Sequence, residues 1–234
     1  MWNKKTVSIV FPTYNEEKSV KNAINDFLSL KEVDEVIAID NNSTDNSARE
    51  IKKTKAKYFL EKRQGYGAAL IRGLNEASGY YVIMVEPDGS FIAKDALIFL
   101  KKAESYDLVL GTRTNPNYIQ KGAKMGAFLR IGNQFLAWMM NILYSGQNVS
   151  DVGCTYKLIK RPALNKVLSK LNVYNSTFSP FFVITCKKHG FSDTEIPVVY
   201  KERIGNSKIT SDFWKSFKLG IQMIGLILSM RFKN

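Results

Sequence analysis

The alternation of short apolar runs with amphipathic stretches over the first 113 residues most constrains the fold of this chain. The apolar runs predict strands at "TVSIVFP", "EVIAID", "AKYFLEK", "GYYVIMVEPDGSF" and "YDLVLGTR". The stretches between them predict helices, and in the first, "TYNEEKSVKNAINDFLSL", we expect Glu16 and Glu17 in the opening turn, where they complement the helix dipole. Strands that alternate with helices predict an α/β fold with a largely parallel sheet, covered on both faces.

Acidic residues lie at the ends of these predicted strands, where each strand passes into a loop. Asp40 ends the second strand, and Glu86 and Asp88 flank Pro87 after the fourth. A strand end can simply point such carboxylates into solvent. Alternatively, because ligands of open α/β sheets bind at the carboxyl ends of strands, the three carboxylates share a crevice in which Glu86, Asp88 and Ser90 face a cation or a phosphate-bearing ligand. All-oxygen ligation suits Mg²⁺ or Mn²⁺, and a metal-bound diphosphate is then the natural ligand.

The second half of the chain is more apolar and helical. Residues 126–144 carry large apolar side chains at intervals of three and four, a helical stripe: Phe128, Ile131, Phe135, Trp138, Met139 and Ile142. "TFSPFFVITCKKHGF" predicts another helix, and Asp151 stands in a turn that leads into a basic strand before Pro162.

The C-terminal tail is apolar from Leu219 to Met230, with lysines and arginines on either side. This run is shorter than the roughly 20 residues that a membrane span requires. It predicts either an amphipathic helix at a membrane interface or a core helix that packs back on the domain. We therefore expect a catalytic domain over residues 1–212 and a terminal, membrane-interfacial helix over residues 213–234.

The charge of the chain predicts an anionic partner. Among 234 residues, 34 Lys and Arg stand against 21 Asp and Glu, a net charge of +13. No basic stripe interleaved with aromatic residues is present, which argues against nucleic acid. The basic excess is concentrated after residue 110 among the most apolar helices, which favours a membrane surface. The first residues do not have the pattern of a signal peptide, and the chain has only two cysteines, so we expect a cytoplasmic protein associated peripherally with the cytoplasmic face of a membrane.

Other enzyme classes find little support in the sequence. After Gly65 and Gly67 the third glycine position of a dinucleotide-binding loop holds Leu70. The phosphate-binding loop of nucleotide hydrolases is absent. The chain has one histidine, His189, and no Gly-x-Ser-x-Gly motif, so a serine hydrolase is not indicated.

Seven short motifs occur in an order that resembles inverting family 2 glycosyltransferases: "VSIVFPTYNEEKSV", "VIAIDNNSTDNS", "RQGYGAALIRGL", "VEPDGSF", "VLGTR", "SDVGCTYKL" and "RIGNSKI". Within that family the chain is similar to the polyprenyl-phosphate hexosyltransferase branch, typified by dolichyl-phosphate mannose synthase. The resemblance covers about residues 6–210. It implies a GT-A fold, a GDP- or UDP-hexose donor and a divalent cation, Mg²⁺ or Mn²⁺.

The resemblance also implies roles for individual residues. Nucleotide binding is expected of Pro12, Tyr14, Glu16, Asp40, Arg203 and Lys208. Metal binding is expected of Glu86, Asp88 and Ser90, and a catalytic role of Asp88, Asp151 and Arg113. Acceptor binding is expected of Arg113, Arg130 and Ser207. The chain departs from the family at Glu86, which replaces the first Asp of the metal motif, and at Asn41, which replaces a frequent second Asp.

The acceptor decides whether a base is required. A polyprenyl phosphate is already an anion, so it needs no general base, and the basic, apolar second half favours this acceptor. A hydroxyl acceptor on a polysaccharide, protein or lipid would need a carboxylate to take its proton, and Asp151 is the candidate. A nucleotide-sugar-binding protein without turnover is the third alternative, and a membrane-protein partner is compatible with all three.

Overall fold

The protein is built around one twisted sheet. Its structure, a computed structural model, describes residues 1–123, 127–205 and 213–232, and in this part of the chain seven strands pair in the order β3-β2-β1-β4-β6-β5-β7. The strands are β1 Val7–Thr13, β2 Glu35–Asp40, β3 Lys57–Leu60, β4 Tyr81–Met84, β5 Leu108–Thr112, β6 Lys157–Lys160 and β7 Asp193–Pro197. The helices are α1 Val20–Leu28, α2 Ser47–Lys52, α3 Tyr66–Glu76, α4 Asp95–Lys102, α5 Ala127–Leu143, α6 Arg161–Val167, α7 Phe178–Lys188 and α8 Phe213–Phe232.

The predicted largely parallel sheet is confirmed, with one strand reversed. β6 pairs antiparallel with both β4 and β5, so that Ile159 lies opposite Val82 on one side and Leu108 on the other. Because β6 is reversed, the residues that lead into it lie at the carboxyl ends of β4 and β5. This insertion brings residues 151–156 between two parts of the chain that the sequence already marked for chemistry.

Both faces of the sheet are buried, as the α/β pattern predicts. Alternate residues of β1 enter different cores: Val10 packs with Leu70 and Leu74 of α3, whereas Phe11 packs on the opposite face with Phe27 of α1 and Phe99 of α4. The sheet is therefore a rigid platform, and its loops at the carboxyl ends are positioned by strands on either side.

The prediction that Glu16 and Glu17 open the first helix is wrong, because α1 begins only at Val20. Asn15 has a left-handed φ of 56°, and the backbone N–H groups of residues 15–17 donate to side chains of the loop after β2 and of Ser47, the first residue of α2. Polar side chains of another loop thus compete successfully with helix hydrogen bonds here.

The C-terminal helix α8 packs on α5 and α7 through one face only. Met223 and Ile227 are buried, and the Tyr144 hydroxyl donates to the Ile227 carbonyl at 2.6 Å. The opposite face of α8 exposes Trp214, Phe217, Ile221, Leu228 and Phe232, together with Phe213 at its start.

The apolar stripe predicted on α5 is also exposed at Ile131, Phe135, Trp138 and Ile142. Met139 is half-buried, and the side chain of Phe128 lies outside the described residues. None of the helices described is both long and apolar enough to cross a bilayer.

Candidate active site

A cavity of about 450 Å³ opens at the carboxyl ends of β1, β4 and β5. Seven of the residues that the sequence singled out contribute to its wall: Pro12, Tyr14, Glu16, Glu86, Asp88, Arg113 and Arg203. They come from four separate parts of the chain, and the parallel topology gathers them because parallel strands all end at the same edge.

Asp88 is held by the turn that follows β4. Its Oδ1 accepts hydrogen bonds from the Ser90 backbone N–H at 2.9 Å and from the Ser90 hydroxyl at 2.5 Å, while its Oδ2 lies 3.4 Å from Arg203 Nη1. Ser90 is fully buried and is not part of the cavity wall as described. Its hydroxyl therefore orients Asp88, whereas the resemblance had suggested a direct metal contact.

Residues 201–204 cross this turn and bring Arg203 into the cavity. The backbone N–H groups of Lys201 and Ile204 donate to the carbonyls of Ser90 and Asp88, each at 2.8 Å. Gly89 has a φ of +79°, and a side chain there would come within 2.9 Å of Ile204 Cδ1. The glycine thus permits both the turn and the close approach of the crossing segment.

Arg203 joins two carboxylates of the cavity wall. Its Nη2 donates to Glu16 Oε1, and its Nη1 faces Asp88. Burial raises the pKa of Glu16 to about 7, against the opposing attraction of Arg203 and with further upward repulsion from Asp88. One arginine and two acids therefore meet in the same part of the cavity wall.

Glu86 is anchored through a short chain of hydroxyl groups. Its Oε1 accepts from Thr155 Oγ1 at 2.9 Å, and Thr155 in turn accepts from the Tyr66 hydroxyl at 2.8 Å. Burial, followed by repulsion from Asp88, raises the pKa of Glu86. Thr155 and Tyr66 hold the longer Glu side chain that replaces the Asp of the family, and sequence reasoning missed both.

Arg113 and Asp151 form a buried, two-pronged ion pair. Nε and Nη2 of Arg113 lie 2.8 and 3.0 Å from Oδ2 and Oδ1 of Asp151, and the Arg113 backbone N–H donates to Oδ2 at 3.0 Å. The other oxygen also accepts from the Asn133 side chain and from the backbone N–H groups of Gly153 and Cys154. Burial by itself would raise the pKa of Asp151, but Arg113 and Asn133 lower it to about 2. Arg113 lines the cavity, whereas Asp151 is not among the described residues of its wall.

Asp40 and Asn41 differ in their relation to the cavity. Asp40 is buried and accepts from the Ser43 N–H at 2.9 Å and the Tyr58 hydroxyl at 3.1 Å, and the cavity wall as described does not include it. Asn41 is in the wall, and its amide donates to the carbonyls of Glu61 and Arg63 and accepts from the Gly65 N–H. An Asp could not make the two donations, so Asn41 fastens the loop after β3.

The remaining predicted residues are less closely connected with the cavity. Arg130 lies on α5, half-exposed, one turn before the Asn133 that contacts Asp151, and it is not in the wall that the structure describes. Ser207 and Lys208 lie outside the described residues.

The cavity also has residues that sequence analysis did not single out. Ser176 contributes from the turn before α7, Ser179 from the first turn of α7, and Leu219 and Met223 from α8. Apolar residues of a helix carry no chemical signature in the sequence, and only the docking of α8 on α5 and α7 shows that these two line the cavity.

The acidic residues fit a cation that is shared with a substrate. Within the described ranges no three His, Cys, Asp or Glu side chains cluster as a closed metal site. Glu86 and Asp88 provide two carboxylates on one wall. Mg²⁺ is commonly held by one or two carboxylates together with substrate phosphates, so this pair suits a metal–diphosphate complex rather than a permanent ion.

Comparison with known proteins identifies the family. The profile described as "Glycosyl transferase family 2" matches residues 8–168, more than half of the chain. The chain belongs to glycosyl transferase family 2. It is a glycosyltransferase, and the resemblance drawn from its seven motifs is confirmed.

Relatives of this family 2 transferase include two enzymes named for lipid phosphates. The chain is 25% identical over 252 residues to human dolichyl-phosphate beta-glucosyltransferase, covering 96% of this chain and 76% of the relative. It is 29% identical over 219 residues to an undecaprenyl-phosphate 4-deoxy-4-formamido-L-arabinose transferase of Serratia proteamaculans, covering 87% of this chain and 63% of the relative. An uncharacterised protein of Methanocaldococcus jannaschii is 27% identical and is matched over 94% of its length.

Solved structures support the GT-A fold. Glucosyl-3-phosphoglycerate synthase of Mycobacterium tuberculosis with Mn²⁺ and UDP-glucose superimposes with a TM-score of 0.69 at 18% identity, covering 97% of this chain and 79% of that one. The same enzyme with Mg²⁺ and UDP gives a TM-score of 0.68 at 17% identity, with the same coverage. At these identities the likeness establishes the fold.

Proposed function

We propose that this protein transfers a hexose from a nucleoside-diphosphate hexose to a polyprenyl phosphate, with inversion at the anomeric carbon. Relatives named for dolichyl and undecaprenyl phosphate support the acceptor class. The arginine and acidic groups of the cavity support a diphosphate donor, and the apolar wall from α8 supports an acceptor that carries a hydrocarbon chain.

The hydrogen bonds and the low pKa of Asp151 are the observation that favours a phosphate over a hydroxyl as the acceptor. Both of its oxygens are engaged, with Arg113 covering the side toward the cavity, and its pKa is about 2. A carboxylate that binds a proton so weakly is a poor general base for a hydroxyl nucleophile. A phosphate monoester is already anionic at neutral pH and needs none, and Arg113 is the guanidinium available to bind it.

The donor half of the cavity supports the loss of a diphosphate leaving group. Glu86 and Asp88 would hold a divalent cation, which neutralises charge on the departing diphosphate when bound. Arg203, now bridging Glu16 and Asp88, supplies a guanidinium in the same place. Preorganised charges aimed at a developing anion are often the largest contribution to catalysis.

We further propose that the enzyme works at the cytoplasmic surface of a membrane. Ten of the fifteen large apolar side chains that the described residues expose lie on α5 and α8. Lys215, Lys218 and Arg231 are exposed on the same terminal helix and suit anionic headgroups. We call the ten side chains on α5 and α8 the apolar face.

The test uses the purified protein with Mn²⁺ or Mg²⁺, UDP- and GDP-hexoses, and polyprenyl phosphate in lipid vesicles. We expect one donor to yield a glycolipid, and EDTA to abolish its formation. Parallel reactions with polyprenol, which lacks the phosphate, and with sugar hydroxyl acceptors should give no product. Transfer to a hydroxyl acceptor, or to none of them, would contradict the proposal.

A further inference from the structure

A buried lysine lies beneath the cavity wall and belongs to none of the roles above. Lys157, the first residue of β6, is only 3% exposed. Its ammonium donates to the carbonyl of Cys154 and to Ser179 Oγ at 2.8 Å. The salt bridges of the described residues do not include Lys157, whereas the other buried lysine, Lys187, pairs with Asp193 at 3.0 Å.

A buried ammonium that has no carboxylate in contact is unfavourable for folding. Removing its charge from water costs several kcal/mol, and hydrogen bonds to neutral oxygens recover only part of this. Burial accordingly lowers the pKa of Lys157. An apolar side chain would fill the same space without this cost, so the charge needs an explanation outside packing.

The groups that Lys157 holds belong to the cavity wall. Ser179 is in the wall, and its hydroxyl donates onward to the Val152 carbonyl at 2.6 Å. Between Val152 and Cys154 lies Gly153, also in the wall. Lys157 and Ser179 thus bind the carbonyls on both sides of Gly153.

Asp151 holds the same short segment from the other direction. It accepts from the backbone N–H groups of Gly153 and Cys154 at 3.0 and 2.9 Å. A side chain at position 153 would come within 3.2 Å of Arg113 Nη2, so this segment lies directly against the arginine. One residue beyond Cys154, Thr155 holds Glu86.

We propose that Lys157 is a positioning residue for sugar transfer: its buried ammonium fixes the Asp151–Cys154 segment and Ser179 against Arg113, and puts a positive charge beneath the cavity wall beside Thr155, which holds Glu86 of the donor half. The role rests on the proposed transferase function. A nucleoside diphosphate carries more negative charge than the sugar-linked donor. Loss of the positive charge of Lys157 should therefore affect turnover and product binding more than donor binding.

The decisive variants are Lys157→Met, which keeps the length and removes the charge, and Lys157→Arg, which restores it. Lys187→Met is the matched control, since it also removes a buried lysine charge but away from the cavity. In folded Lys157→Met we expect kcat to fall about 10- to 100-fold, the range typical when a residue that orients a reacting or ligand-binding group is lost. The KM for the donor should change much less. Lys157→Arg should recover most of the loss, and Lys187→Met should lose stability with kcat near wild type per folded molecule.

A binding measurement separates this proposal from the function on which it rests. Calorimetric titration of UDP and GDP with Mn²⁺ needs no acceptor, and the nucleotide that binds wild type should bind Lys157→Met about tenfold more weakly, as expected for one lost interaction of about 1.4 kcal/mol. If wild type makes no glycolipid but this weakening appears, the function is wrong and the role of Lys157 in the diphosphate site stands. Unchanged kcat and nucleotide affinity in Lys157→Met would overturn the proposed role of Lys157.

If Lys157→Met does not fold, Ser179→Ala tests the proposal instead, because it breaks the link between Lys157 and the cavity wall. A wild-type kcat in Ser179→Ala would overturn the proposal equally.

Discussion

Arg113 covers Asp151: two guanidinium nitrogens lie 2.8 and 3.0 Å from the two carboxylate oxygens, and the acid is buried behind the arginine. The sequence marked both residues as catalytic, yet their geometry separates their roles. Arg113 meets the cavity, and Asp151 determines where Arg113 points.

Replacing Asp151 with Asn should therefore act through Arg113. Asn keeps the shape but leaves the guanidinium without a counter-charge, so we expect a stability loss of about 3 kcal/mol, as for other broken buried pairs. Activity should fall roughly 10- to 100-fold because the arginine is misplaced. A double-mutant cycle with Arg113→Met measures the coupling: adding Asp151→Asn to Arg113→Met should cost little further activity. Losses that multiply would indicate that Asp151 acts independently, as a base would.

Acid should weaken the fold through the same carboxylate. The pKa of Asp151 is about 2 in the folded protein against an ordinary 3.8, so the unfolded chain binds more protons between these values. Its contribution, about 2 kcal/mol, is complete above pH 4 and is lost as the pH falls toward 2. Urea unfolding from pH 6 to 2.5 measures the slope. Glu35 adds to the same slope in wild type and variant alike. Against the effect of burial, hydrogen bonds from Lys57 and Ser8 lower its pKa to about 2 as well. Asp151→Asn should show a shallower slope than wild type, and identical slopes would count against the assignment.

Asp88→Asn should remove most of the transfer activity while sparing the fold. The change removes one of the two carboxylate charges that would hold the cation. We therefore expect transfer activity to fall about 100-fold or more, the size of effect seen when a key electrostatic group is removed. Excess Mn²⁺ should recover part of it. Ser90→Ala, which only frees the orientation of Asp88, should cost less activity, and Asp107→Asn, half-exposed just before β5 and away from the cavity, should leave activity unchanged. Initial rates across a Mn²⁺ titration distinguish these outcomes, and full activity in Asp88→Asn would refute the metal site.

Asn41→Asp, which restores a residue frequent in the family, should be harmful here. The new carboxylate would face the carbonyls of Glu61 and Arg63 to which the amide now donates, so we expect about 1 to 3 kcal/mol of destabilisation. The loop carrying Gln64 and Gly65 borders the cavity, and nucleotide affinity should fall as well. The exposed neighbour Asn42 serves as the control through Asn42→Asp. Thermal unfolding with and without UDP or GDP measures both effects, and an Asn41→Asp protein as stable as wild type would contradict them.

The apolar face should be needed for membrane binding but not for folding. Trp138→Glu and Phe217→Glu each put a charge on an exposed position of α5 or α8, so we expect weaker sedimentation with anionic vesicles and unchanged thermal stability. Ile98→Glu is the matched control, because Ile98 on α4 is 47% exposed and lies outside this face. If all three variants bind vesicles equally, the face has another use.

The sequence was informative wherever chemistry and topology coincide. Carboxylates at strand ends gather in a parallel sheet, which is why Glu86 and Asp88 could be placed at one crevice from the sequence. Asp40 was expected in the same crevice but is not in the cavity wall as described, and Arg113 was indicated by the family resemblance alone. The order of the motifs likewise indicated the GT-A fold.

Contacts between distant parts of the chain were not readable. The direction of β6 depends on two strand partners at once, and the start of α1 was decided by side chains of another loop. Leu219 and Met223 look like any apolar helix residues until α8 docks. From its residue type Asp151 could be a general base, and only the six hydrogen bonds that it accepts, contributed by different elements, argue against that role.

The reversed strand β6 also orders events at the ribosome. Strands β4 and β5 are not neighbours, and with β6 absent a gap about one strand wide, twice the usual 4.8 Å spacing from axis to axis, would separate them. The walls that carry Asp88 and Arg113 thus acquire their final separation only when residues 157–160 have been synthesised and have paired with both strands. A nascent chain halted before that point would possess both side chains yet no catalytic pocket.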